Sequence, residues 1–265
     1  MGEWIAISRT QHAKKKYRPR AGYEFAAKQQ VVPVMLAELA RLLPHYALGF
    51  MQAEDATYHL VALAGLGGER NLYITHDHLW LCNYVPAALR AFPFAMHNDS
   101  AGNKIFCLLD SHLSDDEEHP SLFNAEGELD KLAAEHLNFV SQCENNRQIT
   151  ATACAALAKV GLIKPWAISI NRPEAQEPLQ VNGVHRIDEE AMAKLDAVAF
   201  ADLRKSGALA IAYAQIFATV QLEQLTLRLE YFAKEKLEKA DLAGLGSLFN
   251  TDSGGSLNFD FLNEQ

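Results

Sequence analysis

The chain has 265 residues, 49% of them apolar and 22% charged, with a formal net charge of -9 at pH 7. That is enough chain to bury a real core, as one large domain or two small ones. The acidic balance argues against non-specific nucleic-acid binding, which draws its affinity from Lys and Arg neutralising phosphates. No window approaches 18 consecutive apolar residues, so no membrane span is expected, and MGEWIAISRTQ lacks the apolar run of a signal peptide.

In chain order, the first feature is a basic segment, Arg9–Arg20, with six Lys/Arg and no acid. It is either a docking arm for an anionic partner or a solvated terminal segment. Residues 33–43 have helical periodicity opened by Pro33 and closed by Pro44. Strand-like runs follow at 46–51, 58–63 and 72–75, with the glycines of 65–68 read as a hairpin turn, since the spacing of a phosphate loop is absent. Residues 85–92 form one or two helical turns, and 94–96 and 105–109 read as strands around the turn NDSAGN. The run SDDEEH at 114–119 is a surface loop. Two amphipathic helices are expected near 127–144 and 149–160, the second capped by Gly161. A short strand at 166–170, a polar excursion and a strand at 184–187 precede a helix capped by Asp188. Residues 208–239 keep a helical beat and would form the longest helix. That helix either self-associates, giving a homo-oligomer, or packs on the sheet.

Strands and helices are interspersed without the regular spacing of a doubly wound fold. The expected class is therefore α+β, with a mixed or antiparallel sheet in the N-terminal half, a mainly helical C-terminal half and one compact domain. Residues 1–22 would be a basic N-terminal arm, 23–240 the domain, and 241–265 a flexible Gly/Ser/Asn-rich tail, with docking as an edge strand its other reading. The four cysteines (Cys82, Cys107, Cys143, Cys154) form no C-x-x-C pair and sit in apolar contexts. A reduced, cytoplasmic protein is the simplest expectation.

Asn71–Phe94 (NLYITHDHLWLCNYVPAALRAFPF) has the densest mix of side chains in the chain. His76 and His78 would share one face of a strand, as a metal site needs. With ten histidines, about 0.4 such pairs arise by chance, so the motif decides little. His97-x-Asp99 has the spacing of two ligands of a facial triad, with a third histidine to be found elsewhere. Cys82 lies four residues from His78, but a buried structural cysteine is the commoner case. Arg90 lies within an aromatic run, beside Trp80 and Tyr84. It is either paired to a buried acid such as Glu38 or available to an anionic or planar ligand, with Trp80 and Tyr84 as stacking faces. The ligand-binding set read from the sequence is therefore Trp80, Tyr84, Arg90 and Glu38. The metal alternative is His76, His78, His97 and Asp99.

The pattern N-L-Y-x6-W-x3-YVPAALRAFPF resembles the signature of the SapC family of bacterial proteins. YEFAAKQQVVPVMLAEL at 23–39, SLFNAEGEL at 121–129, GLIKPW at 161–166 and 183–218 fall in the same order, so the resemblance covers most of 12–229. The chain departs from the family pattern at THDHLW, where a D-x-x-G-like turn is usual, and at Arg90–Phe94, where a second basic residue and a tyrosine are usual. The resemblance implies a cytoplasmic protein encoded beside outer-membrane receptors, cupin-like oxygenases and flavin-dependent halogenases, and it carries over no catalytic residue and no cofactor. The leading expectation is a non-catalytic accessory protein that binds a protein partner or a small organic ligand (a peptide, sugar or aromatic) and no nucleic acid. The alternative is a metal-dependent oxygenase or hydrolase using iron or zinc.

Overall fold

The computed structural model describes residues 2–68, 70–170 and 177–248; the expected tail from residue 249 onward and residues 171–176 of the polar excursion lie outside the described residues. In chain order the elements begin with β1 (Trp4–Ala6), α1 (Arg9–His12), β2 (Lys16–Tyr17), β3 (Val31–Pro33), α2 (Leu39–Leu42), β4 (Leu48–Gln52) and β5 (Tyr58–Leu63). The middle holds α3 (Ala87–Arg90), β6 (Phe94–Asn98), β7 (Lys104–Leu109), β8 (Leu113–Ser114) and α4 (Lys131–Lys159). Then come β9 (Ile163–Pro165), β10 (Ile168–Ile170), β11 (Leu179–Val181), β12 (Val184–Ile187), α5 (Glu189–Ala193), α6 (Ala197–Lys205), α7 (Ala208–Ala218) and α8 (Gln221–Leu248).

The class is α+β, with strands mainly in the first half and helices toward the C-terminus. Every ladder is antiparallel. The larger sheet runs β3-β5-β4-β12-β9 and the smaller β1-β7-β6, with two-stranded pairs β10-β11 and β2-β8. β5 is buried over its last four residues, which suits a central strand covered by other elements. α4 packs against β5 of the large sheet and β6 of the small one, while α7 packs on β4 and β12. The main core lies between the large sheet and these helices, and a smaller core around Tyr17, Phe94, Leu108, Leu122 and Val140 fills the space under the small sheet.

Several expectations change. Pro33 lies in strand β3, because Val34 N–H is already committed to Leu60 C=O (3.1 Å), and the helix starts only after a 3-10 turn at Leu36–Glu38. The two helices expected at 127–144 and 149–160 are one, α4. Its polar stretch around residue 146 contains no breaker, and Glu144 and Arg147 pair within it at 2.7 Å. Gly161 does close that helix, at φ +70°, with Leu162 N–H reaching Leu157 C=O and its own N–H reaching Ala158 C=O. The helix expected over 208–239 is two: it breaks at Thr219–Val220, and Gln221 starts the second by donating to Leu43 C=O (3.1 Å). Residues 72–75 form no strand and reach only an isolated bridge, Ile74 to Trp80. Asp188 caps its helix as expected, accepting from Glu190 and Ala191 N–H.

The basic N-terminal segment meets the acidic run. β2 pairs with β8, Lys15 Nζ contacts Asp115 at 2.7 Å and Lys16 Nζ contacts Glu117 at 2.5 Å. Among the described residues no helix is long and apolar enough to cross a membrane.

One buried amide ties α7 to the large sheet. Gln215 accepts from Ile187 N–H (2.8 Å) and donates to Leu48 C=O (3.3 Å). Replacing it by Leu leaves both backbone groups unsatisfied in the core. Gln215→Leu is expected to lower the unfolding free energy by about 1–3 kcal/mol, read by urea denaturation.

Candidate functional site

The segment 71–85 is short of regular structure, so side chains satisfy its backbone. Asn71, wholly buried, donates to Ala26 C=O (3.2 Å) and accepts from Tyr73 N–H (2.9 Å). Tyr73 donates to His45 C=O (2.8 Å), and Tyr46 donates to Tyr84 C=O. Trp80 Nε1 in turn donates to the Tyr46 hydroxyl at 2.9 Å. Burial pushes the Tyr46 and Tyr73 hydroxyls far up from their ordinary pKa, so both serve as neutral donors.

Glu38 closes this arrangement. Its Oε1 accepts from Met35 N–H (2.9 Å), and its Oε2 accepts from the Tyr84 hydroxyl (2.8 Å) and from Ala87 N–H (2.9 Å), the first amide of α3. Arg90, at the end of α3, donates to the same Tyr84 hydroxyl (3.3 Å) and to Val85 C=O (3.1 Å), with its guanidinium 5.0 Å from the Phe139 ring. Burial and the hydrogen bond to Glu38 raise Tyr84 to about 12. Three of the four residues read from the sequence thus form one network, and Trp80 joins it through Tyr46. Arg90 reaches Glu38 only through Tyr84. The faces of Trp80 are occupied by Tyr73 (5.8 Å, 14° between planes) and Tyr23 (5.1 Å).

The four alternative metal ligands do not gather. His76 pairs with Glu235 of α8 (2.9 Å), whereas His97 lies against Trp4 (5.2 Å). Asp99 uses its carboxylate on Ala101 N–H, Asn103 N–H and Asn103 Nδ2 of its own turn. His78 stands at φ +60° in the turn after Thr75, its Nδ1 buried without a partner among the described residues. No group of three or more His, Cys, Asp or Glu side chains among the described residues is placed to hold a metal ion.

The other side of α3 faces open space. Ala88, Leu89 and Ala91 border a cleft of about 800 Å³, together with Val32–Met35, Phe94–Met96 and the α4 side chains Val140 and Cys143. Phe25 and Phe92, stacked at 3.8 Å, close one end. Glu144 and Arg147 stand at the other, where Lys104 Nζ also meets Glu144 (2.5 Å). Those two cations hold the Glu144 carboxyl down, from 4.5 to about 2. Burial pushes the Cys143 thiol up to about 11. Met35, Met96, Cys143 and Glu144 are not marked by any local motif. They meet because three segments distant in sequence converge.

A model of the SapC family matches residues 7–225. The chain belongs to the SapC family. No curated protein and no solved structure shows a significant match. The SapC match ends at the fifth residue of α8, yet the part of that helix beyond it supplies three contacts to residues 70–76. Arg228 lies over Tyr73 (4.3 Å), Phe232 receives Arg70 (3.7 Å), and Glu235 meets His76.

Two outcomes are expected. Glu38→Gln places an amide among three donors, and should cost about 1–3 kcal/mol in urea unfolding, with Tyr84→Phe costing less. Because Glu144 is lowered in the fold, its contribution to stability is present above about pH 4.5 and is lost as pH falls toward about 2. Thermal unfolding followed down that range should steepen in the native protein and flatten in Glu144→Gln.

Proposed function

We propose that this SapC-family protein is a non-catalytic accessory protein, and that it binds an elongated, largely apolar organic ligand in the cleft beside α3. The cleft itself carries this reading. Its volume is about 800 Å³, its walls are mostly aliphatic, aromatic and methionine side chains, and its charged groups stand at the ends. That is the build of a small-molecule or peptide site. The thiol on its wall, Cys143, is held protonated at neutral pH, which is the wrong state for a nucleophile.

The aromatic network supports the same reading from the opposite side of α3. Glu38, Tyr84, Arg90 and Trp80 spend their polar groups on backbone and on each other, which fixes the wall of the cleft. Such a protein works by presenting or holding a ligand for other proteins.

A fluorescent apolar dye should bind the purified protein at one equivalent. Ala88→Trp, which fills the cleft from an exposed position, should weaken binding by about tenfold or more, a loss of at least about 1.4 kcal/mol. Turnover of a bound peptide, sugar or aromatic by the protein alone would overturn the proposal. So would stoichiometric iron or zinc by elemental analysis, lost in His76→Ala or His97→Ala, which would favour a metal-dependent oxygenase or hydrolase.

A further inference from the structure

The cleft is bordered by the open edges of both sheets. β6 is one of the two edge strands of the small sheet and β3 one of the two of the large sheet. In the β6–β7 ladder, Leu109 N–H donates to Pro93 C=O and, beyond the strands, Asp99 N–H donates to Asn103 C=O. Hydrogen-bonded pairs alternate along an antiparallel ladder. The odd-numbered residues of β6 therefore face β7, and Phe94, Met96 and Asn98 turn their backbone groups away from it. Phe94 N–H is taken by Ala91 C=O, which leaves Phe94 C=O and both groups of Met96 on the cleft side, unpaired among the described residues.

The same reasoning on β3, where Val34 N–H meets Leu60 C=O and Ala64 N–H meets Gln30 C=O, turns Pro33 outward. Proline is a usual guard for an edge strand, because it offers no donor. β6 has no such guard. It carries no proline, lysine or bulge, only Phe94-Ala95-Met96-His97-Asn98. It lies along the wall of the cleft instead, where Phe94, Ala95 and Met96 are lining residues.

Resting on the reading of this cleft as the binding site, we infer that its ligand is an extended peptide segment, added as a further strand along β6. The chemistry follows from the lining. Main-chain donors and acceptors on an apolar wall are matched by another main chain, with alternate side chains set against the apolar lining that includes Leu89 and Met35. The charge at the ends selects the composition. At the hairpin end, Lys104 and Arg147 share one carboxylate, Glu144, so positive charge is left over there. Asp99, at the hairpin tip, is spent on its own turn. The opposite end, by Phe25, carries Glu24. The fitting segment is apolar on alternate residues and acidic at the end that meets Lys104 and Arg147.

The test uses a fluorescein-labelled capped peptide, Val-Thr-Val-Thr-Val-Glu, and the apolar dye, both on the full chain. The peptide should bind, and N-methylating its alternate amides should weaken it by about tenfold or more, since each methyl removes a strand hydrogen bond. Replacing its Glu by Lys should weaken it as well. Met96→Pro removes the outward-facing amide at the centre of β6 without touching the β7 ladder, and should weaken the plain peptide as N-methylation does. Should that variant fail to fold, the N-methyl contrast on the native protein decides alone. Equal binding of the plain and methylated peptides overturns strand addition. Binding of the dye without the peptide overturns it too and leaves the cleft reading standing. If neither binds, both readings fall.

Discussion

One carboxylate sets the geometry on which the site depends. Glu38 receives hydrogen bonds from Met35, Tyr84 and Ala87, groups separated by up to 52 positions in the chain. α3 spans only Ala87–Arg90, far below the length at which a helix holds itself together in water. It persists because its first amide has a fixed acceptor and its last side chain, Arg90, is tied back to Tyr84 and Val85. The acceptor is held in turn by its own 3-10 turn, directly after edge strand β3. The turn, the short helix and the aromatic segment are therefore one mechanical unit. Its inner side is polar and saturated, and its outer side is the apolar wall of a cleft.

The aromatic residues of 71–94 contribute hydroxyl and indole donors as much as apolar area. The buried start of this irregular segment, residues 71–74, has carbonyls and amides that no ladder satisfies, and each would cost about 1–3 kcal/mol if left alone. Tyr46, Tyr73 and Asn71 meet that need by bonding backbone groups at Tyr84, His45, Ala26 and Tyr73. This explains why, within the richest stretch of the sequence, the cleft is lined from residue 88 onward and not by residues 71–85. Its chemistry is consumed in giving a loop the definition of a secondary-structure element.

Features carried by local signals were legible in the sequence. The β6–β7 hairpin around its Asx turn, the β4 and β5 strands, the Asp188 cap and the Gly161 terminus all depend on residues within a few positions of one another. The link between Arg90, Tyr84 and Glu38 was legible as a composition, although not its order. What could not be read was anything decided by distant partners. Pro33 looked like a helix start, and only pairing with Val61 makes it a strand. The break at Thr219 carries no glycine or proline, and the basic N-terminal segment finds its acidic partner a hundred residues away. The cleft belongs to this second group, since its walls come from β3, α3, β6 and α4.

α4 touches both sheets, meeting β5 of the larger and β6 of the smaller along a single unbroken run of helix from Lys131 to Lys159. A rod that spans two layers acts as a caliper. It fixes the gap between the two strand edges, because opening that gap requires one sheet to slide along packed side chains rather than a loop to swing. The cleft is thereby gauged before anything enters it. On the proposed reading of the cleft as a binding site, selection there is by thickness, and little ordering entropy remains to be lost when it fills.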